Sequence, residues 1–338
     1  MSKRNWLALS ASAGVISLML VGVSASAGAS TVLTKTQWQA AIAQVPAPGG
    51  ACYNASYPAL QWQPVACVTA RNWRFAPSKV GNGVDYSAQV SGTISKATGV
   101  FKDVSSDITE KGQVDATGSK IANAFSLQLN TEFFSGSPAC SGSSDPSNCL
   151  AWQQFVYAYD GCTGGASCIF MQYWLIDYDA TCPSGWFTYS EDCYTNSNAA
   201  TVSTVTAGDL ASVSFYGKAA QGGNDGVSLS IGSGTATLVT GPDSKVDLAP
   251  YWDTTEWGAF GDAGGGKAHF GTDNTLEAQT HLKESSSAAP TCVKEGFTGE
   301  TNNLKLASTP ALGNESMPTM ASRQTDGSAG TASCAVKA

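Results

Sequence analysis

Carboxylates and carboxamides set inside apolar, aromatic runs are the residues of this chain whose types could do chemistry. Gln128 lies in NAFSLQLNTEFF, Gln153 and Gln154 in AWQQFVYAY, and Gln172 in FMQYWLIDY. Glu132, Asp177 and Glu256 are the acids of the same region. A carboxamide in the middle of an apolar strand costs stability unless it finds hydrogen-bond partners. A neighbouring backbone group or water is the plain partner. The functional alternative is a carboxylate that activates water, beside a carboxamide that donates to a developing negative charge. Other chemistries lack their signatures. No G-x-S-x-G and no H-E-x-x-H occurs, and the only histidines are His269 and His281. His269, in strand-like KAHF, reads as a packed or exposed side chain. GDAGGGK at 261–267 lacks the spacing and following Ser/Thr of a phosphate-binding loop and reads as a hairpin loop. The expectation is a site with no metal and no cofactor.

Strands must position these residues. From Asp85 the pattern has period two, and YSAQVSGTIS and GVFKDVSSDI read as strands with Gly at the joints. The three Gln-bearing runs are rich in aromatic and β-branched residues, carry no Pro and are partly apolar on both faces, which predicts central strands. TVSTVTAGDLASVSFYGKA, DGVSLSIGS, GTATLVTGP and KAHFGTDNTLEAQTHL continue the series, with turn signals between them. Short, regularly spaced strands without helical runs predict an all-β domain over 79–283, a sandwich or a closed barrel. Before it, TKTQWQAAIAQV has helical spacing and PAPGG ends it. Residues 28–78 are too few for their own core and read as an N-terminal cap or pro-segment. Residues 284–338 are poor in aromatics and rich in Ser, Thr and Gly, which predicts a tail of low order with room for one returning edge strand.

Residues 1–27 read as a secretory signal peptide: Lys3 and Arg4, an apolar stretch from Trp6 to Val23, then Ala25-Ser26-Ala27. The expected location is therefore secreted, extracellular or periplasmic, with no integral membrane span once the signal is removed. Ten cysteines in an exported chain predict five disulfides. Sequence does not prove their connectivity. Local pairing is the simplest choice: Cys52 with Cys67, Cys140 with Cys149, Cys162 with Cys168, Cys182 with Cys193, and Cys292 with Cys334. Their spacings are not of the metal-binding C-x-x-C type. The net charge is −8 and no basic patch is visible, which argues against a nucleic-acid partner. Only 13% of residues are charged, against roughly 25% usually, and few ionised carboxylates suit acidic surroundings.

The order of the motifs resembles that of the glutamic peptidases of the eqolisin family, and more loosely the neprosin-like ones. VSGTIS at 90–95, NAFSLQLNT, AWQQFVY, QYWLIDY, AGDLASVSF at 207–215 and TTEW at 254–257 stand in the order of that family's strand motifs. The resemblance covers roughly residues 85–283. It implies an antiparallel β-sandwich of concanavalin or jelly-roll type and a polypeptide substrate. It also implies a catalytic glutamate at Glu256, a catalytic glutamine at Gln153, and a groove lined by Trp152, Tyr173, Trp174 and Trp257. Departures leave the glutamine open. Gln154-Phe155 stands where the family has Thr-Gly, so the register equally offers Gln154, and a one-residue slip reverses the face. A second alignment of LQLNTEFF makes Gln128 the candidate. The glutamate of the fourth motif is missing near Leu175 and Ile176, and the second glutamate of the last is Phe260. The alternative is a concanavalin-like module that binds a polysaccharide or surface polymer through Trp152, Tyr157, Tyr173, Trp174 and Trp252. A glycoside hydrolase using Glu132 and Glu256 is its enzymatic variant, and a disulfide-bonded envelope protein with its aromatics in the core is the plain one.

Overall fold

The aromatic, period-two runs become two facing antiparallel sheets in a computed structural model that describes residues 33–78, 85–232, 234–330 and 334–338. The signal-peptide reading of residues 1–27 lies outside the described residues. The longer strands are β1 (Cys52–Ser56), β2 (Ser87–Gln89), β3 (Ile94–Lys102), β4 (Phe125–Thr131), β5 (Leu150–Cys162), β6 (Ala166–Ile176) and β7 (Asp192–Asn196). They continue as β8 (Ser214–Lys218), β9 (Asn224–Ile231), β10 (Thr235–Pro242), β11 (Thr254–Gly261), β12 (Thr275–Glu284) and β13 (Thr319–Thr325). One sheet runs β1–β10–β9–β8–β3–β12–β13, and the other β7–β6–β5–β4–β11–β2, with short strands at the edges of both. The fold is the all-β antiparallel sandwich expected from the sequence.

Between the sheets, alternate residues of each strand interdigitate. Trp257 of β11 lies between Phe101 of β3 and Phe215 of β8, with ring centroids 5.0 and 5.5 Å away. Its Nε1 donates to the Val100 carbonyl at 3.1 Å, which satisfies the one polar atom of the ring. The other face of the second sheet is covered too: all seven residues of β4 are buried. That is why β5 and β6 carry apolar side chains on both faces, whereas β4 alternates, with Phe125, Leu127 and Leu129 toward the core and Ser126, Gln128 and Asn130 on the covered outer face.

Gly99 and the C-terminal tail depart from expectation, and the N-terminal segment joins the main domain more closely than a cap. Gly99 is not a joint between two strands; it lies in the middle of β3, where it makes room for Trp257. Residues 33–78 dock on the first sheet as an integral segment. A helix α1 (Lys35–Ile42), closed by a Thr34/Gln37 capping box, packs Trp38 and Ile42 against Tyr53, Ala55 and Leu238 on the first sheet. β1 itself pairs with β10 as a strand of that sheet. The expected low-order tail is woven in: β13 pairs with β12, and residues 291–293 pair with β2 of the second sheet. Composition hid this because the buried residues of β13 include Met320, Ala321 and Ser322, small or flexible side chains that fill a tight sheet without aromatics.

All five local disulfides form, with Cα–Cα separations of 5.4 to 6.2 Å, inside the normal range. Among the described residues no helix is long and apolar enough to cross a membrane.

Candidate active site

Strand register builds the site. Directly paired residues of adjacent strands share a face. Glu256 of β11 pairs with Asn130 of β4, Asn130 with Gln154 of β5, Gln154 with Gln172 of β6, and Gln172 with Asn196 of β7. One carboxylate and four carboxamides thus form a straight row across five strands, on the face turned away from the inter-sheet core. Gln128 stands two residues before Asn130 on the same face.

The row is hydrogen-bonded in two halves, Glu256–Asn130–Gln154 with Gln128, and Gln172–Asn196. Asn130 Nδ2 donates to Glu256 Oε2 at 2.9 Å, and Gln154 Nε2 donates to Asn130 Oδ1 at 3.0 Å and to Gln128 Oε1 at 3.1 Å. Gln128 Nε2 in turn donates to Ser126 Oγ at 2.9 Å. Further along, Gln172 Nε2 donates to Asn196 Oδ1 at 2.8 Å. Gln154 Oε1 accepts nothing among the described residues, a buried acceptor left open.

Glu256 is fully buried. Burial pushes its carboxyl well above the usual range, and the neighbouring Asp85 carboxyl, within hydrogen-bonding reach, pushes it further; the bonds from Asn130 and from the Phe297 amide pull the other way. Two buried acids side by side cannot both ionise cheaply, so the pair holds a proton between them.

Two straps of the chain cover this face. The Phe297 amide donates to Glu256 Oε2 at 2.9 Å. Residues 71–78 cross over Gln172 and Asn196, and the straps meet where Gly299 N donates to Ala76 O at 2.8 Å. Trp152 and Trp174 lie under them, packed with Phe133, Tyr194 and Phe297.

No protein-family model matches the chain, and no curated protein matches it.

The predicted residues divide between the two faces of the sheet. Glu256, Gln154, Gln128, Trp152 and Trp174 share the ladder face. Gln153 does not: it points between the sheets, where its Nε2 donates to Asp225 Oδ2 at 3.0 Å. Both fallback glutamines, Gln154 and Gln128, therefore share Glu256's face, and Gln154, the reading in which the register slips by one residue, is the one in the cross-strand row with Glu256 and Asn130. Tyr173 and Trp257 also belong to the inter-sheet core and line no groove on Glu256's face. Trp152, Tyr157, Tyr173, Trp174 and Trp252 are all at most 1% exposed, so none offers a stacking face to a sugar in this form. The acid beside Glu256 is Asp85; that role does not fall to Glu132. Asp85, Asn130 and Asn196 were not singled out from the sequence. Asn130 carried a usable signal, since it follows Gln128 by two residues on one strand; Asp85 carried none, because only strand pairing brings it to Glu256.

Gln153 has a structural task of its own. Asp225 is buried and raised to about 7, first by burial, and the Gln153 amide is its principal stabilising contact. Gln153→Ala is expected to cost ~1–3 kcal/mol by leaving a buried acceptor unpaired. Urea denaturation of that variant checks this; an unchanged midpoint would contradict it.

Proposed function

We propose that this chain is a secreted glutamic-type endopeptidase that acts in acid, with Glu256 as its base and the Gln154 carboxamide as its oxyanion donor. The observation that carries the reading is the juxtaposition, on one sheet face, of the Glu256–Asp85 acid pair, a carboxamide row, and peptide backbone of the chain itself laid across them. Five disulfides and the signal-peptide reading support export.

The chemistry follows from the groups. The ionised carboxylate of the pair takes a proton from water, whose oxygen attacks the peptide carbonyl carbon. The carbonyl oxygen becomes an oxyanion, and a Gln154 N–H, released from its present acceptor on Asn130 or Gln128, donates to it, a contact worth ~3–4 kcal/mol in comparable sites. The C–N bond then breaks, and the protonated carboxyl gives its proton to the leaving amine. While the straps lie in place Glu256 is dry and protonated. Displacing them hydrates it and lowers its affinity for the proton, so activity requires opening of the 297–300 strap.

Glu256→Gln and Gln154→Ala are each expected to lower cleavage of denatured casein at about pH 3–4 by ~100-fold or more. Gln153→Ala should leave it within a few-fold, despite its lower stability. Full activity in Glu256→Gln would sink the assignment. Absence of cleavage by the wild-type chain, before and after limited proteolysis, would reject the peptidase reading altogether.

A second reading has its own observation. The full burial of Glu256 under the Phe297 amide suits a non-catalytic envelope or polymer-binding protein in which the ladder only anchors the straps. The same casein assay separates the two.

A further inference from the structure

The strap of residues 71–78 is held in an unusual way. It lies over the face of the second sheet, and side chains from the strands beneath hold its backbone. Asn196 Nδ2 donates to the Arg71 carbonyl at 2.9 Å, and the Tyr194 hydroxyl donates to the Asn72 carbonyl at 3.2 Å. Gln172 clamps two positions: its Nε2 donates to the Trp73 carbonyl at 2.9 Å and its Oε1 accepts from the Phe75 amide at 2.9 Å. Backbone amides complete the set, Gly264 N to Arg74 O at 2.7 Å and Gly299 N to Ala76 O at 2.8 Å. Five carbonyls of one short extended segment are thus each claimed by a donor, three of them by side chains.

These contacts read main chain, and main chain is common to every peptide. Of the strap's own side chains, Arg71 pairs with Asp160 at 3.0 Å and donates to the Cys162 carbonyl at 3.1 Å, and Arg74 lies over the Tyr189 ring at 4.7 Å, all three at the rim of the face. Asn72 and Arg74 are exposed, and Arg71 and Trp73 are half-exposed. Phe75 alone is fully buried, in an apolar pocket formed with Val156, Ala158, Phe170, Ala199 and the Cys162–Cys168 disulfide. Its ring centroid lies 6.2 Å from that of Phe170.

The geometry points to a peptide-binding groove on this face that takes an extended polypeptide by its backbone and an aromatic side chain in the Phe75 pocket, with residues 71–78 as its built-in occupant. As a substrate preference this rests on the peptidase reading: the preferred chains are unfolded polypeptides with a Phe-like residue. As a binding groove it stands without catalysis. An attached strap competes at a high effective concentration, so the wild-type chain takes up free peptide poorly, and loosening the strap exposes the groove.

The test uses the full chain carrying Glu256→Gln, so that no peptide is cleaved, with Phe75→Ala added. The second substitution empties the pocket and is expected to lower Tm by about 6 °C. An end-blocked peptide of residues 70–78 should restore most of that loss and bind at least tenfold tighter than to the chain with Phe75 intact. The same peptide with alanine in place of Phe75 should do neither. Rescue by neither peptide, or equal rescue by both, overturns the groove with its aromatic pocket. If Phe75→Ala fails to fold, the milder Phe75→Val partly empties the pocket instead and is read with the same two peptides. Casein cleavage is scored separately on the chain with Glu256 intact, so peptide uptake without cleavage leaves the groove standing and removes only the peptidase reading.

Discussion

Thermal stability is expected to fall by about 8 °C or more as the pH rises from about 4.5 to about 8.5. The cause is a set of buried carboxyls. Burial, the largest influence on each, raises Asp225 and Glu300 to about 7, Glu110 and Asp262 to about 8, and Glu256 well above the carboxylate range. In the unfolded chain the same groups release their protons near pH ~4. Between those values the folded state binds more protons than the unfolded one, so the unfolding free energy decreases with rising pH. The contribution is whole below about pH 4 and is lost as the pH passes through the folded values. One unit of displacement is ~1.4 kcal/mol, so a single group shifted by about three units accounts for ~4 kcal/mol. That is a large part of the ~5–15 kcal/mol that holds a typical domain together. At about 2 °C per kcal/mol for a chain of this size, one such group supplies the expected shift. His269 and His281 act in the opposite direction: burial lowers both, and what they contribute is lost as the pH falls below ~6.5. The raised carboxyls outnumber them, with Asp192 at about 6 adding to the five; Lys96, lowered to about 8 by burial, opposes the trend only at the upper end of the interval, and His281 is partly compensated by Glu315, 3.8 Å away. Calorimetric scans across the interval check the sign, and Asp225→Asn should flatten part of the slope. A Tm that climbs steadily from pH 4.5 to pH 8.5 would contradict the account.

Gly99→Ala is expected to cost ~3 kcal/mol or more, at the upper end of overpacking effects. A Cβ at position 99 would lie 2.1 Å from Trp257 Cδ2 and 2.4 Å from Cε2. The indole cannot step aside, because Phe101 and Phe215 hold it and Val100 binds its nitrogen. Gly217 on β8 stands in the same relation to Phe155, where a Cβ would meet the ring at 2.4 Å. Urea titrations of Gly99→Ala, Trp257→Leu and the double variant give the coupling. In the Trp257→Leu background the cost of Gly99→Ala should fall to less than half. An equal cost in both backgrounds would mean that Gly99 serves backbone conformation and not ring packing.

These two positions show what could be read in advance and what could not. AWQQFVYAY and FMQYWLIDY announced central strands, because apolar residues on both faces leave no solvent side. The ten cysteines announced local staples, and the structure pairs them so. Gly99 was misread because a glycine between alternating runs looks the same whether it turns the chain or yields space to a ring from the facing sheet. The tail was misread for a related reason: β13 is a buried strand of Met, Ala, Ser and Thr, whose burial depends on neighbours distant in sequence.

The site divides along the same line. Local pattern was enough to find Gln128, Gln153, Gln154, Gln172 and Glu256 as polar residues in apolar strands, since burial of a carboxamide or carboxylate is visible from its flanks. Face and partner were not visible. Side chains alternate along a strand, so neighbouring Gln153 and Gln154 must point opposite ways, and nothing within AWQQFVYAY says which one looks at Glu256. That choice belongs to register: Asn130 pairs with Glu256 on one side and Gln154 on the other. Sequence by itself determined the class of fold, the staples and the inventory of polar groups, all of which follow from local composition and spacing. Tertiary structure decided which of those groups meet, that Asp85 joins Glu256, and that the chain's own backbone covers them, because each depends on contacts between segments far apart in the chain.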